Sequence, residues 1–158
     1  MKTISNTVLY LQMTALLVAT ALAGPSAAEN SVPFRGSIHA IEASVVHPPT
    51  LGVDGSGSGN ASHIGRFTVT YEVEVNLVTR ASTGTAHFTA ANGDTIDTDI
   101  SGQGNPIPGS DYSYIVETNT ISGGTGRFAD ATGTFVVERL LNRVTGITTG
   151  SFSGSVSY

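Results

Sequence analysis

Glu42 stands in Ile38-His39-Ala40-Ile41-Glu42-Ala43-Ser44-Val45, a carboxylate among apolar neighbours. Burial penalises a carboxylate's charge, which suits a general acid or a ligand anchor; the competing reading turns Glu42 to the outer face of its strand and into water. A change of apolar parity between Ala40 and Ile41 suggests a bulge there, so the direction of Glu42 stays open. His63 and Arg66 fall in Asn60-Ala61-Ser62-His63-Ile64-Gly65-Arg66-Phe67, where a glycine- and serine-rich tract enters a long strand-like segment. Facing the mouth of a barrel, the pair would bind a carboxylate or the polar end of a ligand; ordinary loop-to-strand hydrogen bonding is the plainer alternative.

Other chemistry-bearing residues point to no metal and no cofactor. His39, His47 and His87 have no metal-ligand spacing. Asp94, Asp97 and Asp99 lack the spacing of a calcium loop and read as solvated strand-face carboxylates. Glu72 and Glu74 are neighbours on one strand face, whereas glycosidases need carboxyls that face each other across a substrate. The tract Gly55-Ser56-Gly57-Ser58-Gly59 matches a serine-hydrolase elbow only trivially, and it lacks the lysine and the helix of a phosphate loop. No catalytic residue is assigned beyond the candidate Glu42.

The elements that must position these residues are strands. Phe67 to Leu77 alternates, with Phe67, Val69, Tyr71, Val73, Val75 and Leu77 on one face and Thr68, Thr70, Glu72, Glu74 and Asn76 on the other. Further strands are predicted over Phe34 to Val46, Thr83 to Ala91, Thr95 to Ser101, Tyr112 to Ile121, Phe128 to Leu141 and Ile147 to Tyr158. Ala91-Asn92-Gly93-Asp94, Asn105 to Gly109 and Asn142 to Gly146 supply the reversals. Pro48 to Asn60 reads as a long flexible loop, either a lid at a barrel mouth or a tolerated surface insertion. With no helical period after the N-terminal segment, the fold class is all-β: a small antiparallel barrel of about eight strands, or a sandwich.

Ile121-Ser122-Gly123-Gly124-Thr125-Gly126-Arg127-Phe128, with Ala131 and Gly133 after it, is the most distinctive segment. It resembles the Gly-Gly-Thr-Gly-x-Phe…Ala-x-Gly segment of dirigent proteins and the related segment of allene oxide cyclases. The chain also resembles secreted bacterial proteins that carry this segment together with a hairpin like Phe88 to Asp94. The resemblance implies a closed, calycin-like barrel of eight antiparallel strands whose interior takes up a small organic molecule. The cyclase resemblance places an acidic residue on the first strand before a proline turn, which here is Glu42 ahead of Pro48-Pro49. Thr132 stands where dirigent proteins carry an arginine, and His47 precedes Pro48 where the cyclases have serine.

Lys2, the apolar run Val8 to Ala23 and the small residues Ser26 and Ala28 read as a cleaved secretory signal over residues 1–28, with one barrel domain over 29–158. The expected location is secreted or periplasmic, with no stable membrane insertion after cleavage. Without Lys2, six arginines oppose twelve carboxylates, a balance that argues against nucleic acid as a partner. The chain has no cysteine, which excludes disulfides and thiol chemistry. Three functional classes follow: a barrel that binds a small, largely apolar molecule, a cyclase or isomerase acting on such a molecule, and a non-enzymatic structural or surface-interaction protein with a filled core. The sequence leaves the oligomeric state open.

Overall fold

Phe67, Val69, Tyr71 and Val73 point into the molecule while Thr68, Thr70, Glu72 and Glu74 face water, the period-two pattern of a half-buried strand. The same alternation repeats along the chain. The computed structural model describes residues 31–158 and contains eight strands: β1 (Val32–His47), β2 (Thr50–Ala61), β3 (Gly65–Asn76), β4 (Ala81–Ala90), β5 (Thr95–Pro106), β6 (Tyr112–Gly124), β7 (Thr132–Asn142) and β8 (Ile147–Ser157). Each pairs antiparallel with the next, and β1 pairs with β8, so the sheet closes into a barrel. Closure gives every strand two partners and removes the exposed edges that long strands would otherwise present. The expected signal segment, residues 1–28, lies outside the described residues.

Three expectations are corrected. The stretch from Pro48 to Asn60 is not a flexible loop: only Pro48 and Pro49 connect β1 to β2, and the glycine-serine tract is β2 itself. Its glycines face inward and its serines outward, because side chains of neighbouring strands fill the space above the glycines. A Cβ on Gly55 would lie 2.1 Å from the Tyr71 ring, and one on Gly59 would lie 2.5 Å from Phe67.

The second correction concerns β1, which has no bulge at Ala40 and Ile41. Its register with β2 and β8 runs unbroken, and Phe34, Ile38, Ala40 and Glu42 share the inner face. The misleading signal came from Ile41, Val45 and Val46, which are exposed on the outside. The register shift in this barrel lies instead between β5 and β6, at Asp97 and Thr98.

Third, Phe128 does not begin a strand. Gly126–Phe128 forms a single 3₁₀ turn, β7 starts at Thr132, and Phe128 is fully buried under Tyr158. Gly133 allows a close approach: its φ is +135°, and a Cβ there would lie 2.3 Å from the Ser155 carbonyl oxygen.

The barrel interior is divided along its axis. Towards the end formed by the β2–β3, β4–β5 and β6–β7 connections, Phe34, Phe67, Phe88, Phe135 and Phe152 fill the space, with ring centroids 5.1 to 6.5 Å apart. A belt of inward polar side chains crosses the middle: Glu42, Thr98, Glu117, Asn119, Arg139 and Thr148. Beyond the belt, towards the β1–β2, β3–β4, β5–β6 and β7–β8 connections, the barrel is open.

Candidate functional site

The open half encloses a cavity of about 640 Å³. Leu51 and Val53 of β2, Val73 and Val75 of β3, Ile115 of β6 and Leu141 of β7 form its apolar wall. Ser44, Ser82 and Ser113 add hydroxyls, and Glu42, Glu117 and Arg139 form the floor. These residues reach the interior because each occupies the inward parity of its strand.

Arg139 organises the floor. Its Nε and Nη2 donate to the two oxygens of Glu117 at 3.1 and 3.3 Å, and its Nη1 donates to Glu42 Oε1 and, at 3.2 Å, to Thr148 Oγ1. Glu42 Oε1 also accepts from the Tyr71 hydroxyl at 2.8 Å. Glu42 Oε2 has no partner among the described residues. The Arg139, Glu42 and Glu117 side chains are each about 5 or 6 % exposed, so these charges are paired in a setting where an unpaired charge would be costly. Burial works against the Arg139 charge, but Glu117 and Glu42 outweigh it and hold its pKa above the usual guanidinium value. Burial, reinforced by Glu42, raises the Tyr71 phenol far above its ordinary range, so Tyr71 stays a neutral donor.

The backbone fixes these side chains through close packing against glycine. Gly55 lies under Tyr71, Gly102 against Glu117 and Gly150 against Arg139; a Cβ at Gly102 or Gly150 would come within 2.6 Å of the facing side chain. Glu42 is held by its own backbone, whose N–H donates to the Gly146 carbonyl at 2.9 Å. Glu42 therefore points inward, the first of the two orientations open to it.

His63 and Arg66 lie at the other end of the barrel from this cavity. His63 is in the β2–β3 turn, where its Nδ1 is 2.9 Å from the Tyr158 hydroxyl and its carbonyl accepts from Arg127 Nη2. Arg66 is exposed at the start of β3. Neither lines the cavity with Glu42. Glu72 and Glu74 face outward, and Asp97 pairs with His87 at 2.5 Å on the outer surface. Among the described residues, no group of three or more His, Cys, Asp or Glu side chains is placed to hold a metal ion, and no helix is long and apolar enough to cross a membrane.

Sequence reasoning missed Glu117, Arg139, Tyr71 and Ser82 as site residues, together with Arg80, which lines the cavity from the β3–β4 turn. A signal was present: Glu117 falls in step with Ile115 and Ile121, and Arg139 with Phe135 and Val137, so each charge sits at a buried parity. Comparison with family models, curated proteins and solved structures found no match for this chain.

Proposed function

We propose that this protein binds a small, largely apolar organic molecule in the open half of its barrel. The carrying observation is the cavity of about 640 Å³, whose apolar walls end on a few fixed polar groups. Its volume falls within the range typical of small-molecule sites. The aromatic half forms a solid base beneath it, so a ligand enters and leaves by one end only. This reading agrees with what the resemblance to allene oxide cyclases and dirigent proteins implies. Export to the periplasm or the medium, suggested by residues 1–28, is part of the same proposal.

One observation favours a second reading, a cyclase or isomerase. Glu42 lines the cavity with Oε1 fixed by Tyr71 and Arg139 and with Oε2 unpartnered among the described residues, an arrangement suited to steadying positive charge or guiding a proton on a bound substrate. The third class, a structural protein with a filled core, draws support from the aromatic half alone.

Native mass spectrometry of protein purified from its own host tests the binding reading. A retained small-molecule adduct at one per chain is expected, and Glu42→Gln separates binder from enzyme by retaining the adduct while abolishing any turnover. Protein that carries no adduct and takes up none from a lipid extract of that host counts against binding.

A further inference from the structure

The cavity floor carries more negative charge than positive. Arg139 is one cation shared by two carboxylates: its Nε and Nη2 donate to the two oxygens of Glu117, and its Nη1 donates to Glu42 Oε1. The other groups bonded to this cluster, the Tyr71 hydroxyl and Thr148 Oγ1, bring no charge to offset the excess. Arg80 and Arg143 also line the cavity, but both are exposed at its rim, Arg80 in the β3–β4 turn and Arg143 donating to the Ser110 and Asp111 carbonyls. Water and salt screen charges at the rim, whereas at the buried floor the low dielectric strengthens every electrostatic contact.

Glu42 Oε2 is the point at which a ligand can reach this excess. Both Glu117 oxygens are taken by Arg139, while Glu42 Oε2 has no partner among the described residues, although the Glu42 side chain is only about 5 % exposed. The Ser82 hydroxyl is also unpartnered among the described residues, but it is sealed within the wall; Glu42 Oε2 is open to the cavity. A buried carboxylate oxygen without a donor is costly, and here the fold has already removed it from most of its water. Ser44 occupies the next inward position of β1 towards the mouth, lines the cavity and offers a second acceptor above Glu42.

We propose that Glu42 Oε2 and Ser44 receive the protonated amine of an otherwise apolar ligand, which enters the barrel amine first. Its hydrocarbon body lies against Val53, Val73 and Ile115 on the way to the mouth. An ammonium suits this place better than a hydroxyl, because it brings several donors and a positive charge where a hydroxyl brings one donor and none. A carboxylate head would meet the excess negative charge of the floor and be turned away from it. The inference rests on the binding reading above and assigns that ligand its charge and its direction in the barrel.

Calorimetric titration with decylammonium, decan-1-ol and decanoate, each below its micellar concentration, tests it. Decylammonium should bind at least roughly tenfold more tightly than the alcohol, with decanoate the weakest of the three. Glu42→Gln should bind decylammonium no more tightly than decan-1-ol while still binding the alcohol. Ser44→Lys leaves the floor intact and offers Glu42 a tethered ammonium, so it should lose the preference as well and keeps the test in place if Glu42→Gln fails to fold. Glu74→Gln, an equal charge change on the outer face, should retain the preference. Equal binding of amine and alcohol overturns the amine site but leaves apolar binding standing, and so does a preference for the amine that survives both Glu42→Gln and Ser44→Lys, or either one alone. Tightest binding of decanoate also overturns it, since the rim arginines would then orient the ligand. Binding of none of the three overturns this inference and the binding reading together.

Discussion

Arg139 and Glu117 meet diagonally across adjacent strands: Ile115 is the direct partner of Arg139, and Glu117, one inward position further on, takes two hydrogen bonds from the guanidinium at 3.1 and 3.3 Å. Long side chains bridge such a diagonal readily. The pair closes the floor of the cavity, and Glu42 joins it from β1. The consecutive strands β6 and β7 are thereby tied to the distant β1 at the level where the packed half of the barrel gives way to the open half.

Removing the shared cation should therefore cost far more than removing the whole cluster. Arg139→Met leaves Glu42 and Glu117 buried without it, and a loss of about 3 to 5 kcal/mol in urea unfolding is expected. Replacing Glu42 and Glu117 by leucine in the same chain should recover most of that loss. A single Arg139→Met variant as stable as the wild type would show that the floor is not a coupled charge cluster.

Alkaline stability reports on Tyr71. Its raised pKa means the neutral phenol supports the fold fully below 10.0, its ordinary value, and the contribution fades as pH climbs above that value. One such proton gives a slope of about 1.4 kcal/mol per pH unit. Unfolding measured between about pH 9 and about pH 11 should fall more steeply for the wild type than for Tyr71→Phe. Parallel curves would mean that the phenol is not confined as the geometry indicates.

The glycine-serine tract is also open to test. A strand cannot absorb one extra residue without turning its inward set outward, whereas lengthening a flexible loop by one costs only a few tenths of a kcal/mol. A single serine inserted between Gly57 and Ser58 is expected to destabilise the protein by about 2 kcal/mol or more, because serine side chains would be driven into Tyr71 and Phe67. An insertion variant that melts with the wild type would restore the loop.

The strands were legible where inward residues are large. Phe67 to Val75 announces its parity, and every strand of the closed barrel except β2 carries such a signal. The tract from Gly55 to Gly59 was misread because its composition suits a linker, although its alternation is that of a strand; its inward residues are small because Tyr71 and Phe67 occupy the space. Glu42 could be singled out from its apolar neighbours, yet its direction was obscured by Ile41 and Val45 on the outer face. Arg139 and Glu117 were harder to find, since their meeting depends on the β6–β7 register, and only that register shows one charge reaching the other. His63 and Arg66 were linked to the cavity through an assumed flexible mouth loop. With that segment formed as β2, the two residues fall at the far end.

The account stands most directly on whether the open half of the barrel admits an apolar molecule. Fluorescence titration with the neutral probe N-phenyl-1-naphthylamine reads this in the wild type and in Ile115→Trp, where the indole would fill the cavity from β6. One saturable site per chain, lost in the Ile115→Trp variant while its cooperative melting is retained, is the predicted result. No binding to the wild type, or binding that Ile115→Trp leaves unchanged, would contradict it and direct attention to the exposed apolar side chains Ile41, Val45 and Val46 on the outer face.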